Sequence, residues 1–206
     1  PAYRLVKTAY APLLPLLPEI DVRLAQGKRT VLAIDGPCGS GKTTLAALLA
    51  RLYDCPVFHA DDFFLRPEQR TPARFAEPGG NLDRERLLEE VLAPLRQGQP
   101  VSFRRFDCHS LTLLPPVAVA PSPLAVVEGS YSLHPELAPM YDITVCLTLS
   151  PELQRRRILA RNGEAMAQRF FERWIPLEQA YFDAMKPQTR CGFLIEADQL
   201  SDEAPL

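Results

Sequence analysis

The chain has little that would commit it to metal, redox or membrane chemistry. It holds three histidines, and its five cysteines (Cys38, Cys55, Cys108, Cys146 and Cys191) are scattered, odd in number and without a C-x-x-C pair. That argues against a zinc site or a disulfide framework and for reduced thiols in a cytoplasmic protein. No apolar run approaches the roughly 18 residues of a membrane span. The run Leu13-Leu14-Pro15-Leu16-Leu17-Pro18 is broken by proline and is followed by no small-residue cleavage site, so it does not read as a signal peptide. The formal net charge is −2, which leaves no global field to attract nucleic acid or an anionic membrane. No repeat occurs, and the 21 prolines are dispersed over loop positions.

What is present fits one α/β domain over residues 1–206, with 47% hydrophobic and 23% charged residues. Five short apolar runs, at 31–35, 56–60, 124–128, 143–149 and 192–196, have the length of buried strands. Helical patterns at 43–53, 83–96, 151–161 and 164–185 separate most of them. This alternation predicts a five-stranded parallel sheet with helices on both faces. Residues 1–29 read as a helical lead-in whose role is packing. Residues 63–123 read as an insertion on the acceptor side, with a β-hairpin or flap formed by 101–106 and 116–120. Functional groups are then expected at the carboxyl ends of the strands.

The strongest signal joins the first strand to the first helix. Gly36-Pro37-Cys38-Gly39-Ser40-Gly41-Lys42-Thr43 follows the pattern G-x-x-x-x-G-K-[ST] of a phosphate-binding P-loop. Glycines let successive amides point at phosphate oxygens, and the helix N-terminus adds its dipole. Lys42 is placed to reach the β- and γ-phosphates and Thr43 to bind Mg²⁺. Gly36, Cys38, Gly39, Ser40, Gly41, Lys42, Thr43 and Thr44 are therefore candidate nucleotide contacts, with ATP and Mg²⁺ as cofactors.

Acidic and basic residues follow the other strands. His59-Ala60-Asp61-Asp62-Phe63-Phe64 ends the second, and strand alternation would put the two aspartates on opposite sides. One would orient an acceptor hydroxyl and take its proton; the other reads as a turn cap. Glu128 ends the third strand, either as a metal-side carboxylate beside Thr43 and Asp61 or as a buried structural acid. Arg157 and Arg161 share a helix face and either neutralise charge on a transferred phosphoryl group or form a solvated basic face. His59 reads as a packed neutral residue more than as a base, whereas His109 is a pocket candidate. Trp174 is expected to bury its helix against the sheet.

Taken in order, the P-loop, Asp61-Asp62-Phe63-Phe64, Arg105-Phe106-Asp107, Val127-Glu128-Gly129 and Arg156-Arg157-x-x-x-Arg161 resemble the uridine kinase/phosphoribulokinase/pantothenate kinase group, over about residues 30–197. The likeness is greatest to uridine kinase-like proteins. It implies a P-loop NTPase fold, Asp61 as the catalytic base, Asp83 on the ribose hydroxyls and an arginine-rich lid over 151–170 with Arg156, Arg157 and Arg161. Phe64 and Phe106 stand where the family carries hydroxyl-bearing residues, and Asn162-Gly163-Glu164 replaces a more basic lid continuation. The catalytic set is then Asp61, Lys42, Arg157 and Arg161, with Arg156 as a further nucleotide contact. The acceptor side is Asp61, Phe63, Asp83, Arg104, Phe106, His109 and Arg169. The expected reaction is phosphoryl transfer to a hydroxyl of a small molecule, a nucleoside of the uridine or cytidine type before pantothenate or a phosphosugar. A regulatory ATPase without a small acceptor is the rival reading. Homo-oligomerisation is open, and neither nucleic acid nor membrane is an expected partner.

Overall fold

The computed structural model describes residues 8–199. In chain order its strands are β1 (Thr30–Asp35), β2 (Val57–His59), β3 (Val101–Phe103), β4 (Phe106–Asp107), β5 (Thr112–Leu113), β6 (Val117–Val119), β7 (Leu124–Glu128), β8 (Ile143–Thr148) and β9 (Phe193–Glu196). The helices are α1 (Leu16–Ala25), α2 (Lys42–Tyr53), α3 (Pro72–Ala76), α4 (Arg84–Leu87), α5 (Ala93–Gln97), α6 (Pro151–Arg169) and α7 (Ile175–Met185).

Every residue of β1 is buried, as a parallel strand covered on both faces must be. It forms the centre of the expected five-stranded parallel sheet, in the order β2-β7-β1-β8-β9. Alternation along β1 sends Val31 and Ala33 into one core with Leu87, Val91 and Tyr181. Leu32 and Ile34 enter the other, with Leu16, Ile20, Leu45 and Leu49. Helices α1 and α2 thus cover one face, and α7 with the α4–α5 run covers the opposite one. Register then aligns the carboxyl ends of three strands: Ile34 and His59 both pair with Glu128.

Within the insertion, α4 and α5 are joined through a π-helical turn at Leu88–Leu92, giving one helical run where the pattern predicts it. The predicted hairpin is β3 against β6, with Val101 opposite Val119, and β4–β5 forms a second small ribbon beyond it. Phe103 anchors this flap to the body, 5.5 Å from Phe58 and 5.7 Å from Phe63 between ring centroids.

Three local expectations are corrected. The chain leaves β2 at His59 and turns as a 3₁₀ segment over Ala60–Phe63, so strand alternation does not govern Asp61 and Asp62. The 164–185 helix is not one element. Gly163, at φ 71° and ψ 168°, interrupts α6, and a π-helical turn at Phe170–Trp174 leads into α7. Pro176 lies in the first turn of α7, directly after the π-helical turn. Finally, Trp174 is 41% exposed; the sheet face of α7 is filled by Tyr181 instead. Of the lead-in, residues 1–7 lie outside the described residues.

Candidate active site

Asp35, the last residue of β1, is fully buried and gathers three segments around the P-loop. Its Oδ1 accepts from the amides of Gly36 (2.7 Å) and Tyr131 (3.1 Å). Its Oδ2 accepts from the Leu133 amide (2.9 Å) and the Tyr181 hydroxyl (2.7 Å). Burial pushes the Asp35 carboxyl up to about 6, against the pull of these donors and of Lys42. Gly36 is obligatory here: at φ +152° a Cβ would stand 2.8 Å from the Leu147 carbonyl oxygen.

The P-loop carbonyls are held by side chains. Lys42 Nζ donates to the oxygens of Gly36 (2.8 Å) and Pro37 (3.0 Å) and to Ser130 Oγ (3.3 Å). From α6, Gln154 donates to Cys38 O (2.9 Å) and Arg157 to Gly39 O (3.2 Å). Ser40 Oγ is buried without a hydrogen-bond partner among the described residues. A loop with its carbonyls engaged, a lysine bound in its curve and an unsatisfied hydroxyl fits an oxyanion ligand.

Beside the loop, Thr43 Oγ1 donates to Glu128 Oε1 at 3.1 Å, and His59 Nδ1 lies 2.5 Å from that same oxygen. The hydrogen bond to Glu128 raises the His59 pKa above its ordinary value, burial opposing it. Among the described residues no three His, Cys, Asp or Glu side chains form a metal cluster. A hard cation at Thr43 and Glu128 would thus take its remaining oxygens from phosphate and water, the usual state of Mg²⁺.

These groups open into a cleft of about 590 Å³. Lys42, Thr43, Asp61, Glu128, Arg157 and Arg161 all line it, with Phe64, Asn81, Tyr131, Trp174 and Glu178. Asp61 counts as exposed, but its open surface faces this cleft. Its pKa is raised, first by desolvation; the charge of Lys42 opposes that rise, and Glu128 and Glu178 add to it. Asp62 is half-buried outside the lining, its carbonyl held by Arg86 at 2.9 Å.

No family model matches the chain. A curated dephospho-CoA kinase of Jannaschia sp. (strain CCS1) is 31% identical over 192 residues, covering 82% of this chain and 89% of the relative. Uridine-cytidine kinase D of Dictyostelium discoideum is 27% identical over 122 residues, 57% of this chain and 23% of its own length. Among solved structures, a provisionally assigned uridine kinase from Bacillus stearothermophilus shares the fold with a TM-score of 0.63, at 24% identity over 88% of this chain and 99% of that one. The chain belongs to the P-loop kinases related to dephospho-CoA kinase, and it shares its fold with the solved uridine kinase-like structure.

In this P-loop kinase the residues expected on the nucleotide side come together. Cys38 through Thr44 line the cleft, and Gly36 stands behind it as the acceptor for Lys42. Arg156 is exposed on α6 and is not part of the lining. The acceptor side differs more. Phe63 is fully buried and stacked on Phe103, so Phe64 meets the cleft in its place. Asp83 is buried as the N-cap of α4, its Oδ1 accepting from the Arg86 amide at 3.2 Å. Phe106 is buried under Arg70, whose guanidinium carbon lies 5.5 Å from the ring centroid. Arg104, His109 and Arg169 are exposed and lie outside the lining. The sequence reading missed Asn81, Ser130, Tyr131, Gln154 and Glu178. Ser130 and Tyr131 directly follow the Glu128-Gly129 signal and were within its reach; the others carry no local pattern.

Proposed function

We propose that this kinase transfers the γ-phosphate of ATP to a hydroxyl of a nucleoside of the uridine or cytidine type. The observation that carries the reading is that Asp61 and the Lys42-bearing P-loop open into one cleft large enough for a small guest. Lys42 and the amides at the start of α2 hold the phosphates, and Thr43 and Glu128 would hold Mg²⁺. When bound, that ion would neutralise charge shared between the β- and γ-phosphates. Asp61 receives the acceptor proton; a carboxyl raised by burial is a better base near neutrality than an ordinary one. Arg157 and Arg161 add positive charge from the lid, and Arg161 lies 5.7 Å from the Phe170 ring. Phe64, Asn81 and Tyr131 border the acceptor space.

A second reading, dephospho-CoA as the acceptor, is supported by the 31% identity over 82% of the chain. An ADP-release screen with nucleosides, dephospho-CoA, pantothenate and sugars, blanked with Lys42→Ala, separates the two. The nucleoside reading expects release stimulated by a pyrimidine nucleoside. Stimulation by dephospho-CoA alone selects the second reading, and none by any acceptor rejects both.

A further inference from the structure

Trp174 at the end of the π-helical turn and Glu178 and Tyr181 on α7 follow one another along one face, at the spacing of four and three residues that aligns side chains on a helix. Trp174 lies at the cleft, and Tyr181 is fully buried with its hydroxyl on Asp35. Tyr181 therefore fixes the helix against the sheet without help from Glu178. Between them Glu178 is 6% exposed. A carboxylate placed that deep needs strong donors. Its donors belong to the phosphate site: Oε2 accepts from the Cys38 amide at 2.9 Å, and Oε1 from the Ser130 hydroxyl at 2.6 Å.

The network ends on Lys42. An ammonium has three N–H donors, and Lys42 directs them to Gly36 O, Pro37 O and Ser130 Oγ. The Ser130 contact is the longest, at 3.3 Å, and so the first to yield to a phosphate oxygen. In this state the P-loop amide of Cys38 and the third proton of Lys42 are both tied, directly or through Ser130, to one carboxylate. That carboxylate lines the same cleft as Asp61, on the side of the cradle where transfer would occur.

We propose that Glu178 is a placeholder for the terminal phosphate and thereby sets the preference of this kinase between ATP and ADP. The inference rests on the reading that the P-loop binds ATP. A γ-phosphate brings negative charge to the amide that Glu178 occupies, whereas ADP ends one phosphate short of it. The carboxylate therefore opposes ATP more than ADP, while it keeps the empty loop open and its amide aimed.

The test compares binding of a non-hydrolysable ATP analogue and of ADP, each with Mg²⁺, by calorimetry to the wild-type protein, Glu178→Gln and Glu178→Ala. Glutamine keeps the size and an acceptor for the Cys38 amide but removes the charge. In both variants Kd for the triphosphate is expected to fall about tenfold, the order of a screened like-charge contact, with Kd for ADP within about twofold. Triphosphate binding that is unchanged or weaker, equal changes for both nucleotides, or loss of ADP binding in both variants would overturn the proposal. A wild-type protein that binds both nucleotides but phosphorylates no acceptor overturns the proposed function and leaves this inference standing.

Discussion

Glu128 Oε1 accepts from Thr43 at 3.1 Å while His59 Nδ1 lies 2.5 Å from the same atom. One oxygen thus ties the helix after the P-loop to the end of β2. His59 acts on the expected metal position from behind, as a second-layer partner that orients a ligand. His59→Ala is expected to raise the half-saturating Mg²⁺ concentration about tenfold. A Mg²⁺ titration of ADP release checks it, and an unchanged curve would show that His59 does not orient Glu128 toward the metal. The pairing has a pH signature too. Because the His59 pKa is raised, its stabilising effect is complete below the ordinary imidazole range and is lost as pH rises through the raised value.

Asp61→Asn keeps the shape of the cleft and removes the proton acceptor. Turnover is expected to fall about 10²–10⁴-fold, the range for loss of a general base, with ATP affinity retained. Steady-state rates paired with nucleotide titration decide this; full turnover would assign the proton to another group.

Asp35→Asn tests the hub beneath the P-loop. The substituted amide turns an NH₂ toward one of the two pairs of donors, which costs about 1–3 kcal/mol. The sign with pH follows from the raised carboxyl. A pKa of about 6, against 3.8 for the unperturbed group, favours the fold below the lower value, and that benefit is lost as pH rises to the higher one. Wild type should therefore gain stability relative to Asp35→Asn between pH 7 and pH 4. Melting temperatures across that interval should diverge; a constant difference would mean Asp35 stays ionised throughout.

Cys38 sits inside the phosphate loop yet should resist alkylation. Burial, together with the charge of Glu178 and a hydrogen bond to it, pushes its thiol up to about 12, leaving almost no thiolate at neutral pH. Cys191 is half-buried and lowered by the hydrogen bond it shares with Cys146. Peptide mapping after limited iodoacetamide treatment should find Cys191 modified well before Cys38, with or without ATP. Rapid labelling of Cys38 would contradict this local environment.

The nucleotide half of the site was legible because its chemistry is contiguous: eight consecutive residues specify the loop, and strand and helix flank them. The five strands of the main sheet were legible because buried parallel strands are unbroken apolar runs; their order was not. Nor was the acceptor half, for a physical reason. A single 3₁₀ turn at Ala60–Phe63 replaced strand alternation, which sent Phe63 into the core and Phe64 to the cleft. On the nucleotide side one partner was hidden as well: Glu178 meets Cys38 across 140 residues of chain, with no motif around it to announce the contact. Asp83 has a side chain suited to a ribose, yet in this fold it caps a helix.

Gly163 adopts a left-handed conformation with open space around its α-carbon. It interrupts the helical run: Arg157 and Arg161 stand before it, and Phe170, Trp174 and Glu178 after it. The chain therefore changes direction between the arginine-bearing stretch and the one anchored to Asp35 through Tyr181. The cations at the cleft and the carboxylate on the P-loop amide thus come from separate helical stretches, and one glycine sets the angle between them.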